Sequence, residues 1–212
     1  MGELIMLAER RAMRRNGAPR AHVPPRVEFL FDLCCPFSYL AAERVERAFD
    51  DVIWTPACTA ALQCSAPAGE PRERLAAERR AAELRLPLVW PERFPEAVPA
   101  AMRAASYASE CGRAAPFVLA AGRLAFCGGF DLDDPETLAE AAAAAGIGMD
   151  GCLQAVGELA RDGAIEAAGR RLLADGADRL PVLRVGHSLF WGEARVADAV
   201  ASARVRAVAA VR

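Results

Sequence analysis

The stretch "FDLCCPFSYLAAERV", residues 31–45, decides the fold, because it sets two adjacent cysteines and a proline where a strand gives way to a helix. Upstream, "RVEFLFD" (26–32) alternates Val27, Phe29 and Phe31 with Glu28 and Asp32. Leu30 is apolar as well, so the pattern predicts a central strand covered on both faces. Downstream, Phe37, Leu40, Ala41, Val45, Ala48 and Phe49 recur at helical spacing, with Glu43, Arg44, Glu46 and Arg47 on the other side. Pro36 suits the first helical position, since its φ is fixed and it has no N–H to leave unpaired. Cys35 is then the N-cap. "VIWTP" (52–56) reads as a second short strand, and this strand, helix, strand order predicts a parallel βαβ start.

Beyond it the character of the chain changes. "PRERLAAERRAAELRL" (71–86) is a charged, alanine-rich helix whose arginines and glutamates read as a solvated face. "LVWPERFPEAVP" (88–99) is a proline-punctuated loop, and five further helices follow up to about residue 175, with Asp or Pro at starts and Gly at stops. "LPVLRVG" (180–186) and "HSLFWG" (187–192) form a hairpin joined at Gly186, His187 and Ser188, and the chain closes on an amphipathic helix from Glu193. The expected organisation is an N-terminal extension (1–25), a thioredoxin-like β-α-β … β-β-α domain of the α/β class from 26–70 and 176–212, and an inserted all-helical lobe (71–175). The extension carries Arg10, Arg11, Arg14, Arg15 and Arg20 and reads as a tail helix or as a polyanion-binding arm.

Composition narrows the function classes. A chain of 212 residues that is 54% hydrophobic holds one folded unit, and its formal charge of −2 gives no electrostatic case for nucleic acid or a membrane surface as main partner. No apolar run approaches the roughly 18 residues of a membrane span, and the apolar stretch near the start precedes its arginines, the reverse of a secretion signal. Cytoplasmic location is the expectation. Seven cysteines (34, 35, 58, 64, 111, 127 and 152) are an odd number in a core-rich chain, which argues for free thiols. With two histidines and no paired C-x2-C, no metal site is expected.

The Cys-Cys-Pro turn, "PERFP" (91–95), "GGFDLDDPETLAEAAAAAG" (128–146) and "LPVLRVGHSLFWGEAR" (180–195) together resemble the thioredoxin superfamily, in its DsbA-like branch of 2-hydroxychromene-2-carboxylate isomerases and kappa-class glutathione transferases. The resemblance runs from Arg26 to about Ala199. It implies that Cys35 falls on the serine that activates glutathione in the isomerases and on the reactive first cysteine of the disulfide-forming relatives. The second cysteine of those relatives falls on Ser38. Leu180-Pro181 matches the residue-plus-cis-proline whose backbone meets the thiol cofactor.

The same resemblance makes Phe37, Trp90, Arg93, Phe94 and Trp191 candidates for substrate binding, with Arg93 suited to hold a carboxylate bidentately. The aspartate that would hold the glutathione amine falls on Ala194, which leaves Glu193 and Arg195 as substitutes. Residues 55–71 lack the expected asparagine and basic side chain. The implied cofactor is glutathione or another low-molecular-weight thiol, the implied partner a small-molecule substrate, and a homodimer is left open.

At a helix N-terminus the unpaired N–H groups favour a thiolate, so a depressed thiol pKa is expected at Cys35. Cys34 reads as a small core hydrophobe or an accessory thiol. Three readings follow: thiol-dependent isomerisation or transfer, disulfide exchange through a single active cysteine, and a non-catalytic binding module.

Overall fold

The structure, a computed structural model, describes residues 26–62, 71–91 and 97–211. Four strands form one mixed sheet in the order β2-β1-β3-β4: β1 (Val27–Phe31), β2 (Ile53–Pro56), β3 (Val182–Val185) and β4 (Ser188–Trp191). β1 pairs parallel with β2, with Phe29 opposite Trp54, and antiparallel with β3, with Leu30 opposite Val182. β3 and β4 form the hairpin expected at Gly186, whose φ of 60° suits the turn between Val185 and Ser188.

The continuous apolar run of β1 is explained by two cores. Phe29 and Phe31, stacked at 5.9 Å between ring centroids, face one side, where the indole of Trp54 meets Phe29 edge-on at 4.9 Å. Leu40 and Val45 of α1 (Pro36–Ala48) join them, together with residues of α3 (Pro99–Glu110), α4 (Ala114–Phe126) and α5 (Pro135–Ala145) and Val196 and Ala199 of the C-terminal helix α8 (Val196–Val211). Leu30 points to the other side with Val182 and Leu180, against Ala168 and Leu172 of α7 (Ala160–Ala174). A central strand must satisfy both layers, which is why no polar alternation survives in it.

Six helices lie between β2 and β3: α2 (Pro71–Leu84), α3, α4, α5, α6 (Met149–Val156) and α7. None of the described residues between them adds a strand. Asp134 caps α5 as its sequence suggests, its side chain accepting from the Glu136 N–H at 3.0 Å. Two boundaries differ from the periodicity. α6 stops at Val156, where Gly157 ends the helical hydrogen bonding. The last helix starts at Val196, because Glu193–Arg195 form a separate 3-10 turn after Gly192, whose φ is 84°.

α7 reaches the sheet by a close approach at Gly169, where an added Cβ lies 2.6 Å from the Cys58 carbonyl oxygen and 2.8 Å from the Ala61 Cβ. A helical Gly→Ala change ordinarily stabilises by about 0.5–1 kcal/mol. Here Gly169→Ala should instead destabilise by about 1–3 kcal/mol, because α7 must move off the 3-10 turn Thr59–Leu62. Urea unfolding of the two proteins checks the sign; a stabilised variant contradicts the packing.

Candidate active site

The Cys-Cys-Pro turn is held by a buried carboxylate. Asp32, the first residue after β1, accepts from the Cys34 N–H through Oδ1 at 3.1 Å and from the Thr59 N–H through Oδ2 at 2.9 Å. The turn is thereby tied to the segment leaving β2. The Cys35 N–H donates to the Asp32 carbonyl at 3.1 Å, and the Asp32 N–H donates to the Ser38 hydroxyl at 3.3 Å. α1 then begins at Pro36 with Cys35 in an extended N-cap conformation, its thiol making no capping bond.

Cys35 and Ser38 are brought together as the sequence suggests, and both are buried, Cys35 at 7% exposure. The Cys35 S–H points to the Leu180 carbonyl at 3.9 Å, and the Leu180-Pro181 peptide is cis. The expected depressed thiol pKa is not what this geometry produces. Burial pushes the Cys35 thiol up to about 12, against the favourable backbone N–H and hydroxyl of Ser38, and the Asp32 and Glu73 carboxylates push in the same direction as burial. One turn of helix N-terminus and two donors do not offset removal from water beside two negative charges. Cys35 is a neutral thiol at pH 7. Cys34, 2% exposed, is likewise raised by burial and then by Asp32, and packs in the main core.

A cleft of about 530 Å³ opens beside this turn. Phe37 and Leu180 border it where they flank Cys35. α2 supplies Ala76, Arg79, Arg80 and Glu83, and the chain around the hairpin end supplies Arg179, Trp191 and residues 192–195. Trp191 is 37% exposed, so its ring is a wall and not core.

Glu193 faces the cleft yet is only 3% exposed, and its carboxylate is committed to two arginines. Arg44 of α1 donates to Oε1, and Arg80 of α2 donates to Oε2 from Nε and to Oε1 from Nη2 at 3.2 Å. Arg195 lies at the rim, paired with Asp198 at 2.5 Å and set 5.8 Å from the Phe190 ring.

Trp90 is not in this cleft. Its indole N–H donates to Glu78 at 2.8 Å, Arg74 lies 4.7 Å over its ring, and Phe126 meets it edge-on. It fastens the loop to the outer side of α2. Arg93 and Phe94, like Cys64 and the arginine-rich extension, lie outside the described residues. Asp32, Arg44, Arg79, Arg80 and Arg179 are the members of this region that sequence reading passed over. The spacing of Ala76, Arg79, Arg80 and Glu83 does mark one helical stripe, but a solvated helix face carries the same pattern.

The sequence matches the DsbA-like thioredoxin domain family over residues 26–202, and the chain belongs to that family. In structure it is similar to 2-hydroxychromene-2-carboxylate isomerase, at 20% identity and a TM-score of 0.70 over 85% of this chain and 94% of that one. A probable DsbA oxidoreductase from Streptomyces coelicolor shares 19% identity with a TM-score of 0.64 over 86% and 89% of the two chains. A putative protein disulfide isomerase from Nitrosomonas europaea shares 15% with a TM-score of 0.60 over 85% and 97%. No curated protein matches the sequence. Among the described residues no helix is long and apolar enough to cross a membrane.

A raised thiol pKa has a signed consequence for stability. Below about pH 8.5 Cys35 is protonated in both folded and unfolded chains; above it the unfolded chain loses the proton first. Stability due to this thiol therefore falls as pH rises toward about 12, by up to about 1.4 kcal/mol per pH unit. Denaturant unfolding of the wild type and Cys35→Ser at pH 7 and pH 10 should show the variant losing less stability with pH. Iodoacetamide at pH 7, followed by peptide mapping, should label the exposed Cys111 well before Cys35. Preferential labelling of Cys35 at that pH contradicts the neutral buried thiol.

Proposed function

We propose that the protein is a thiol-dependent isomerase or transferase for a conjugated, anionic aromatic substrate of the 2-hydroxychromene-2-carboxylate or benzylidenepyruvate kind. Cys35 serves as a hydrogen-bond donor to the thiolate of glutathione or another low-molecular-weight thiol. The observation that carries this reading is the enclosure of the Cys35 thiol between Ser38 and the Leu180 carbonyl, at the edge of a cleft with Phe37, Trp191 and arginines in its wall. A protonated thiol is a poor nucleophile and a competent donor. The structural likeness to an isomerase of this kind agrees with that assignment.

The chemistry balances without an oxidant. The external thiolate adds to the β-carbon of the conjugated double bond, forming a C–S bond as the π electrons move onto the carbonyl as an enolate. The former double bond, now single, rotates. The enolate then re-forms the double bond and expels the thiolate, so the thiol is returned and only geometry has changed. Cys35 S–H and the Ser38 hydroxyl hold the sulfur's negative charge before addition and after expulsion. Phe37 and Trp191 offer faces to a planar substrate, and the cleft arginines offer donors for its carboxylate.

Disulfide exchange fits the site less well. Ser38 stands where a resolving thiol is required, and Cys34 is sealed in the core.

The test is a pair of substitutions at one position, assayed for glutathione-dependent isomerisation of a 2-hydroxychromene-2-carboxylate. Cys35→Ser keeps a donor and should retain activity within about tenfold. Cys35→Ala removes it and should lose about 10- to 100-fold in kcat/KM, the worth of a hydrogen bond to a charged group. Equal collapse of both variants makes Cys35 the nucleophile, and a disulfide-exchange activity without isomerisation in any form overturns the proposal.

A further inference from the structure

The charges lining the cleft are unequally committed. Four arginines border it, Arg79, Arg80, Arg179 and Arg195, against two carboxylates, Glu83 and Glu193. Both carboxylates already have cations. Glu193 is buried against Arg44 and Arg80, and Glu83 accepts from Arg80 Nη1 at 2.7 Å. Removing a buried, doubly paired carboxylate from its arginines to receive a ligand ammonium leaves a cation unpaired, which is strongly unfavourable.

The arginines divide differently. Arg80 is spent on the glutamates. Arg79, one residue before it on α2, has no hydrogen-bond or ion-pair partner among the described residues, although it borders the cleft. Arg179 is paired with its neighbour Asp178 at 2.7 Å, but both side chains are more than half exposed. An exposed pair of this sort is worth about 0–1 kcal/mol, less than a charge-assisted bidentate bond to a ligand carboxylate in a partly enclosed cleft. Arg179 is therefore exchangeable.

We infer that Arg79 and Arg179 form a carboxylate-binding site for the thiol cosubstrate, with no matching site for an ammonium group, so that the cleft recognises thiols by their acid groups and ignores their amines. This rests on the assignment of the cleft as the thiol site and names what that site reads. Leu180 adjoins both parts of the argument, following Arg179 in the chain and carrying the carbonyl that meets the Cys35 thiol. A thiol seated at Cys35 thus has Arg179 within one residue of its backbone contact. The ligand class is an acidic thiol, whether or not it carries an amine.

Two glutathione analogues separate acid from amine recognition: glutaryl-Cys-Gly, which lacks only the amino group, and 4-aminobutyryl-Cys-Gly, which lacks only the α-carboxylate of the γ-glutamyl residue. Glutaryl-Ala-Gly, without sulfur, provides the third arm. Binding is read by quenching of tryptophan fluorescence and by calorimetry, on the wild-type chain and on Arg79→Ala and Arg179→Ala. Both arginines are at the cleft surface, and circular dichroism verifies that the variants are folded.

The inference expects glutaryl-Cys-Gly to bind at least as well as glutathione, 4-aminobutyryl-Cys-Gly to bind about tenfold or more weakly, and each arginine variant to lose about tenfold toward the acidic ligands only. If glutaryl-Ala-Gly binds as tightly as its thiol counterpart and is equally sensitive to Arg79 and Arg179, the acid site stands while the thiol assignment of the cleft fails. A tenfold loss on removing the amine, or binding indifferent to both arginine substitutions, overturns the inference.

Discussion

The structure around the active turn depends on one buried carboxylate. Asp32 joins three pieces of backbone that have no other reason to stay in register: the end of β1, the Cys34-Cys35 turn and the segment at Thr59 beyond β2. Its two oxygens take N–H groups that the change from strand to helix leaves without ladder partners. With those bonds made, Pro36 can start α1 immediately, and Cys35 is fixed facing the Leu180 carbonyl. The same carboxylate is part of the electrostatic surroundings that keep the thiol protonated. Architecture and chemistry at this turn share a cause.

The helices between β2 and β3 give the turn its surroundings. α2 covers one side of the cleft and connects to the sheet side through Arg80, which meets Glu193 from the 3-10 turn after β4, while Arg44 meets the same glutamate from α1. Three segments far apart in sequence thus converge on one buried charge. A pair like this is weak evidence for net stability, but it fixes the relative placement of the elements it joins, since a misplaced element leaves a charge unpaired in a dry site. Cleft shape and cleft charge follow from that placement: Glu193 is neutralised, and Arg79 and Arg179 remain for a ligand.

Much of this was legible in the sequence where a single local rule governs. The unbroken apolar run of β1, Pro36 at the start of α1, the Asp134-Pro135 helix start and the Gly186 turn each have one physical solution. Cys35, Ser38 and Pro181 could be placed by their resemblance to a known turn. The protonation of Cys35 was not legible, because a helix N-terminus and a buried site push a thiol in opposite directions, and only the three-dimensional burial decides which prevails. Glu193 was visible as a candidate ligand for an amine, yet its partners lie 149 and 113 residues away. Trp90 was assigned to the substrate side of its loop, whereas Glu78 and Arg74 hold it on α2. Arg79 looked like any arginine on a charged helix, and it is the approach of residues 179–180 and 191–195 that turns its position into a cleft wall.

The account turns on the protonation state of one thiol, and the direct measurement is an ultraviolet titration of thiolate absorbance, wild type minus Cys35→Ser, from acid to alkaline pH. The account predicts no thiolate signal from Cys35 at neutral pH, with ionisation only as the pH nears about 12. A difference signal that is already complete at pH 7 contradicts it, and makes Cys35 a standing nucleophile instead of a donor.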